Sequence, residues 1–78
     1  MTLTADALIA HLTGTLQVPG PLTEETELFS TGLLDSVAMM GIIGFLEDSA
    51  RIDVRPSDVT LENFDTVARI LAYVRSLD

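Results

Sequence analysis

The stretch Phe29-Ser30-Thr31-Gly32-Leu33-Leu34-Asp35-Ser36-Val37 holds the residue types best placed to do chemistry. A flexible glycine stands near the end of a connection, and an Asp-Ser pair follows where a helical pattern begins. A serine at a helix start faces solvent beside backbone N–H groups that have no intrahelical partner, at the positive end of the helix dipole. An anion attached to its hydroxyl is well placed there, and a phosphodiester is such an anion. Ser and Asp are also the commonest helix N-caps, so the bare Leu-Asp-Ser triplet carries either reading.

Other chemistry finds little to work with. The chain has no cysteine, which excludes disulfides, thiolate catalysis and Cys-ligated zinc. With His11 as the single histidine, no metal-ligand cluster stands out. His11, Asp35 and Ser36 have the residue types of a hydrolytic triad. However, His11 falls in the first helical segment beside its apolar stripe, and 78 residues leave little room for a cleft. It reads as a surface residue, and no catalytic residue is assigned: the chain is not expected to be an enzyme. Phe29, Phe45, Phe64 and Tyr73 read as core, and Glu24, Glu25 and Glu27 as a solvated loop. Arg51, Arg55, Arg69 and Arg75 read as surface residues or local ion pairs, individually worth little.

The elements that must position the serine follow from periodicity. Ala5, Leu8, Ile9, Leu12 and Leu16 make one apolar stripe, which predicts a helix over 4–16 capped by Thr4 or Thr2. Val18-Pro19-Gly20-Pro21 ends it. A long connection from Gln17 to Asp35 follows, and loops of that length are often functional. Its Leu22, Leu28, Phe29, Leu33 and Leu34 are expected to pin it down. The second helix is predicted over 36–50, with Ala38, Met39, Ile42, Phe45, Leu46 and Ser49 toward the core. Ile52 and Val54 form a short extended piece, and Pro56 opens a short helical turn to Val59. Leu61 and Phe64 anchor the chain before a last helix over 64–77, capped by Asn63 or Asp65, with Val67, Ile70, Leu71, Val74 and Leu77 as its stripe. No strand alternation and no repeat occurs. The expected fold is all-α, one domain spanning 1–78: a small four-helix bundle of three longer helices and one short one, with a long first loop.

Charge narrows the partners. Twelve acidic residues face four arginines and no lysine, a formal net charge of −8. No basic patch can be assembled for nucleic acid, and an anionic membrane surface is disfavoured by the same repulsion. The field suits a basic protein partner. With 47% hydrophobic and 21% charged residues the composition is core-forming. No apolar run reaches the length of a membrane span, and MTLTADALIAHL lacks the basic start of a secretory signal. A cytoplasmic location and a monomer are the expectations.

Taken together, the segments resemble the acyl carrier and peptidyl (aminoacyl) carrier protein family over essentially the whole chain. The resemblance rests on Gly32-x-x-Asp35-Ser36-Val37, with Leu28-Phe29 upstream, and on Phe45-Leu46-Glu47, Ile52-Asp53-Val54 and Glu62-Asn63-Phe64-x-Thr66-Val67 downstream. It implies that a phosphopantetheinyl transferase moves 4'-phosphopantetheine from coenzyme A onto Ser36. The arm's thiol then carries an acyl or aminoacyl group as a thioester between separate biosynthetic enzymes. In such carriers the hard chemistry lies in the cofactor, and an arm on this chain would bear its only thiol. Asp35 would help to position the transferase and its metal. The chain begins with Met1 and ends just after its last helix, so it looks free-standing.

The second helix departs from carriers of fatty acid synthesis, which are acidic there. Here Val37, Met40, Gly41, Gly44, Glu47 and Asp48 share one side, apolar near Ser36 and acidic only at its far end. By the resemblance this is the partner-docking face. Met adapts to varied surfaces and Gly admits a partner backbone, although both also fill packing gaps. Two glycines in one helix cost about 1 kcal/mol each against alanine, so something other than helix stability should explain them. The Leu33-Leu34-Asp35-Ser36 form looks more like stand-alone aminoacyl or peptidyl carriers, and carriers loaded by an adenylate-forming ligase, than like those of fatty acid synthesis, with an acyltransferase as the other class of loading enzyme. Two alternatives remain: an unmodified acidic adaptor with the same fold, and a carrier of fatty acid or polyketide synthesis.

Overall fold

The computed structural model describes residues 3–15 and 21–77. Four α-helices follow one another: α1 Ala5–Ala10, α2 Ser36–Ala50, α3 Leu61–Phe64 and α4 Val67–Ser76. There is no strand among the described residues. Thr4 starts α1, its hydroxyl accepting from the Ala7 N–H at 3.1 Å. Past Ala10 the helix widens into a π-type stretch, His11–Thr15. The expected continuation to Leu16, the alternative cap Thr2 and the Val18-Pro19-Gly20 stop lie outside the described residues, as does the start of the long connection.

The end of the chain is organised differently from its periodicity. Pro56 opens the expected short helical turn, a single 3₁₀ turn, Pro56–Asp58. The anchor Leu61–Phe64 forms a short helix of its own, and the last helix starts later than expected. Thr60 caps α3, accepting from Asn63 N–H at 3.3 Å, and Thr66 caps α4, accepting from Arg69 N–H at 3.1 Å. A hydroxyl that takes a free N–H begins a new helix, so the last helix starts at Val67 rather than at Phe64, and its expected stripe from Val67 onward stays whole. Neither expected cap serves: Asn63 donates its side-chain amide to Asp58 O at 2.9 Å, and Asp65 is used elsewhere. Leu61, expected to anchor the chain, is 50% exposed.

One core joins all four helices. Leu8, Leu12, Ile42, Leu46, Phe64, Val67 and Ile70 are fully buried, together with Leu28 from the connection. Burying each such side chain contributes about 1.5–3 kcal/mol. Ala38, Met39 and Phe45 pack against this cluster from α2, as the wheel requires, and Phe29 from the connection. Tyr73 packs its ring on Phe64 and donates its hydroxyl to Asp58 Oδ2 at 2.8 Å, tying α4 to the 3₁₀ turn. Burial and that carboxylate push the tyrosine pKa up.

His11 is half-buried rather than fully on the surface. Its ring stacks on Phe45, with centroids 4.1 Å apart and planes within 13°. Its Nε2 is buried with no hydrogen-bond partner among the described residues. Burial disfavours the cation and lowers its pKa from 6.5. The unfolded chain therefore binds this proton at higher pH than the folded one, and the neutral ring's stability is lost as pH falls below 6.5. Thermal melts from pH 7.5 to 5.5 should show the wild-type midpoint falling while His11→Phe, which keeps the stack, stays level. Parallel curves would rule out His11 as the cause.

Candidate functional site

Ser36 is held by what precedes it. From Leu28 to Leu34 the chain folds back on itself, Leu34 N–H donating to Leu28 O at 2.8 Å. Inside this loop Gly32 donates to Phe29 O at 3.0 Å and takes φ 80°, a left-handed turn that favours glycine. Leu28 and Leu34 point into the core, while Leu33 is left 37% exposed. Leu28 and Leu34 therefore pin the connection, and Leu33 does so least.

A buried carboxylate clamps the loop. Asp65, between α3 and α4, is only 3% exposed. Its Oδ1 accepts from Phe29 N–H at 2.8 Å and Ser30 N–H at 2.9 Å, and its Oδ2 accepts from the Ser30 hydroxyl at 2.8 Å. Its own carbonyl accepts from Leu28 N–H at 2.6 Å. The Ser30 N–H lowers its pKa most, against desolvation, with Phe29 N–H, the Ser30 hydroxyl and the Arg69 charge helping. Sequence reasoning missed this role: Asp65 passed as a cap, and no periodicity reports a contact made across 35 residues of chain.

With the loop fixed, Asp35 and Ser36 divide the start of α2. Asp35 is the cap: its backbone is extended, and Oδ1 accepts from Ala38 N–H at 3.0 Å. Ser36 is the first helical residue and is exposed. Its hydroxyl therefore has no capping duty, and the cap of the Asp-Ser pair is Asp35 alone. An anion on that hydroxyl would sit at the N-terminus of a 15-residue helix.

The rest of the expected docking face is partly flat and partly grooved. Val37 is 75% exposed and Met40 73%. Gly44 is exposed, and a Cβ built there would meet nothing within 4 Å. Neither Met40 nor Gly44 fills a gap in the fold, and Asp48 is exposed beside them. Gly41 and Glu47 are half-buried instead. Glu47 Oε2 accepts from Val54 N–H at 3.1 Å and so fastens the extended segment that follows α2. That segment begins at Arg51, whose left-handed φ of 59° closes the helix. Between helix and segment runs a groove of about 440 Å³, with Met40, Ile43, Gly44 and Glu47 on one wall and Val54, Pro56 and Val59 on the other.

Among the described residues no group of His, Cys, Asp and Glu is arranged to hold a metal ion, and no helix is long and apolar enough to cross a membrane. No protein-family model matches the chain, and no curated protein matches it.

Proposed function

We propose that the chain is a carrier that holds an acyl or aminoacyl group on a phosphopantetheine arm attached to Ser36. The observation that carries this reading is an exposed serine at the first position of α2, relieved of capping by Asp35 and set at the end of a clamped loop. Attachment forms one bond and breaks one. Ser36 Oγ bonds to the phosphorus of coenzyme A that bears pantetheine, the pyrophosphate P–O bond breaks, and the adenosine bisphosphate half leaves while the serine gives up its proton. An exposed hydroxyl at a helix N-terminus fits the product, a phosphodiester anion. The second Asp35 oxygen is available to the transferase and its metal while the first keeps the cap.

Once attached, the arm supplies the thiol that this chain lacks and carries the cargo as a thioester. The chain's own residues position the arm and present a face. In this reading the helices form a four-helix bundle with a long first loop, and the molecule works as a cytoplasmic monomer. Its partners are a phosphopantetheinyl transferase, a loading enzyme that is an adenylate-forming ligase or an acyltransferase, and downstream biosynthetic enzymes.

The test is intact mass after incubation with coenzyme A and a broad-specificity phosphopantetheinyl transferase. Wild type should gain the mass of one arm, and Ser36→Ala should gain none. No gain by wild type, or a gain that survives Ser36→Ala, would overturn the reading in favour of an unmodified acidic adaptor.

A further inference from the structure

The groove beside α2 bears on the cargo. Ser36, Met40, Ile43 and Glu47 are spaced four, three and four residues apart, so they lie along one stripe of the helix. This stripe is rotated from the exposed Val37 and Asp48, and the groove runs along it. From Ser36 to Glu47 the helix rises about 16 Å at ~1.5 Å per residue. An extended phosphopantetheine arm has about 14 bonds from serine oxygen to sulfur. At ~3.5 Å per three bonds, the advance of extended chain, it spans about 16 Å. A group on the arm's sulfur therefore reaches the end of the groove where Glu47 stands.

That end is chemically unlike the rest. Met40, Ile43, Val54, Pro56 and Val59 give the groove apolar walls, and the Glu47 carboxylate is the ionisable group lining it. One of its oxygens is committed to Val54 N–H. The other has no hydrogen-bond partner among the described residues. A carboxylate is costly beside an apolar chain but favourable beside a cation, with which it makes a short, strong, charge-assisted bond.

We infer that Glu47 selects the cargo: the arm of this carrier bears an aminoacyl group, whose ammonium pairs with the free Glu47 oxygen while its side chain lies on the apolar walls. The inference rests on the carrier reading and adds to it the class of group carried. Fatty acyl chains, which have no cation to offer, are disfavoured at the same point. The fastening of Val54 and the reading of the amine are separable, because Glu47→Gln keeps an oxygen for the Val54 N–H and removes only the charge.

The experiment compares two cargoes of nearly equal shape. Coenzyme A derivatives bearing alanyl or isobutyryl groups through an amide, in place of the labile thioester, are attached at Ser36 by the transferase. Backbone amide NMR spectra of the two loaded proteins are then recorded against the unloaded arm-bearing form. The alanyl group should shift the amides of Gly44, Val54 and Val59, and its amine pKa should stand above that of the free alanyl arm. The isobutyryl group should leave those amides in place. Glu47→Gln should abolish the alanyl shifts and return the amine pKa to the free value, with its Val54 amide still protected from exchange. Equal shifts from both cargoes, or alanyl shifts and an amine pKa unchanged in Glu47→Gln, would overturn the inference while leaving the carrier reading standing. Failure of wild type to accept any arm would overturn both.

Discussion

Asp65→Ala should be the most damaging single change outside the apolar core. It removes the acceptor of three part-buried hydrogen bonds and leaves the N–H groups of Phe29 and Ser30 without that partner. Bonds to a charged acceptor contribute about 1.5–3 kcal/mol each, but the three share one carboxylate and the loop can open to water, so the net loss should be on the order of 3 kcal/mol. For a domain of this size that corresponds to a fall in Tm of about 12–24 °C. Asp65→Asn keeps one oxygen for both N–H groups and should cost about 1 kcal/mol. Function should fall with it, because the clamped loop ends at Ser36. At a temperature where Asp65→Ala is still folded, its arm attachment should be slower than wild type, while Asp65→Asn stays near wild type. Acid should mimic the mutation. The Asp65 pKa is lowered on folding, so its contribution is complete above the ordinary carboxylate value of 3.8 and drains away as pH falls below it. Melts taken across that range should converge for wild type and Asp65→Ala, well below the His11 window. An unchanged Tm in Asp65→Ala at neutral pH would show that the loop is held by its leucines alone.

What could be read in the sequence, and what could not, follows from the range of each interaction. The start of α1 at Thr4 and the whole of α2 are legible because caps and stripes are local. The buried Leu8, Leu12, Ile42, Leu46, Ile70 and Leu71 all fall on the expected stripes. The start of α4 at Thr66 is also a local signal, a threonine that can cap, and it competes with Asn63 and Asp65, which can cap as well. The stacking of His11 on Phe45 and the clamping of Phe29 and Ser30 by Asp65 depend on which segments meet, and no spacing encodes that. The site divides the same way. Asp35 and Ser36 were visible as a pair, whereas assigning the cap to one and the free hydroxyl to the other needed backbone dihedrals. Glu47 belongs to the docking face only by the family resemblance. Its bond to Val54, seven residues on, places it in the wall of the groove that Met40 and Gly44 of that face also line.

Val37→Asp should separate function from fold. Val37 is 75% exposed, so the substitution gives up little packing. It places a carboxylate in the first turn of α2, where the helix dipole favours it by about 0.3–1 kcal/mol. Tm should therefore hold steady or rise. A partner that covers Val37 and Met40 would have to bury that charge unpaired, a cost of about 3 kcal/mol or more, which is about 100-fold in rate. The kcat/KM for arm attachment by the transferase, and for later transfer to a loading enzyme, should fall by that order with the circular dichroism spectrum unchanged. Gly44→Ala makes the same point from the opposite direction. Its Cβ meets nothing in the fold, so the variant should be about 1 kcal/mol more stable, yet the methyl group stands where a partner backbone would approach. Loss of transfer in both stable variants has no explanation in folding, and because Val37 lies outside the groove that Gly44 lines, it would mark the exposed side of α2 as the surface that partners read. Wild-type rates in Val37→Asp would instead place recognition at the loop before Ser36.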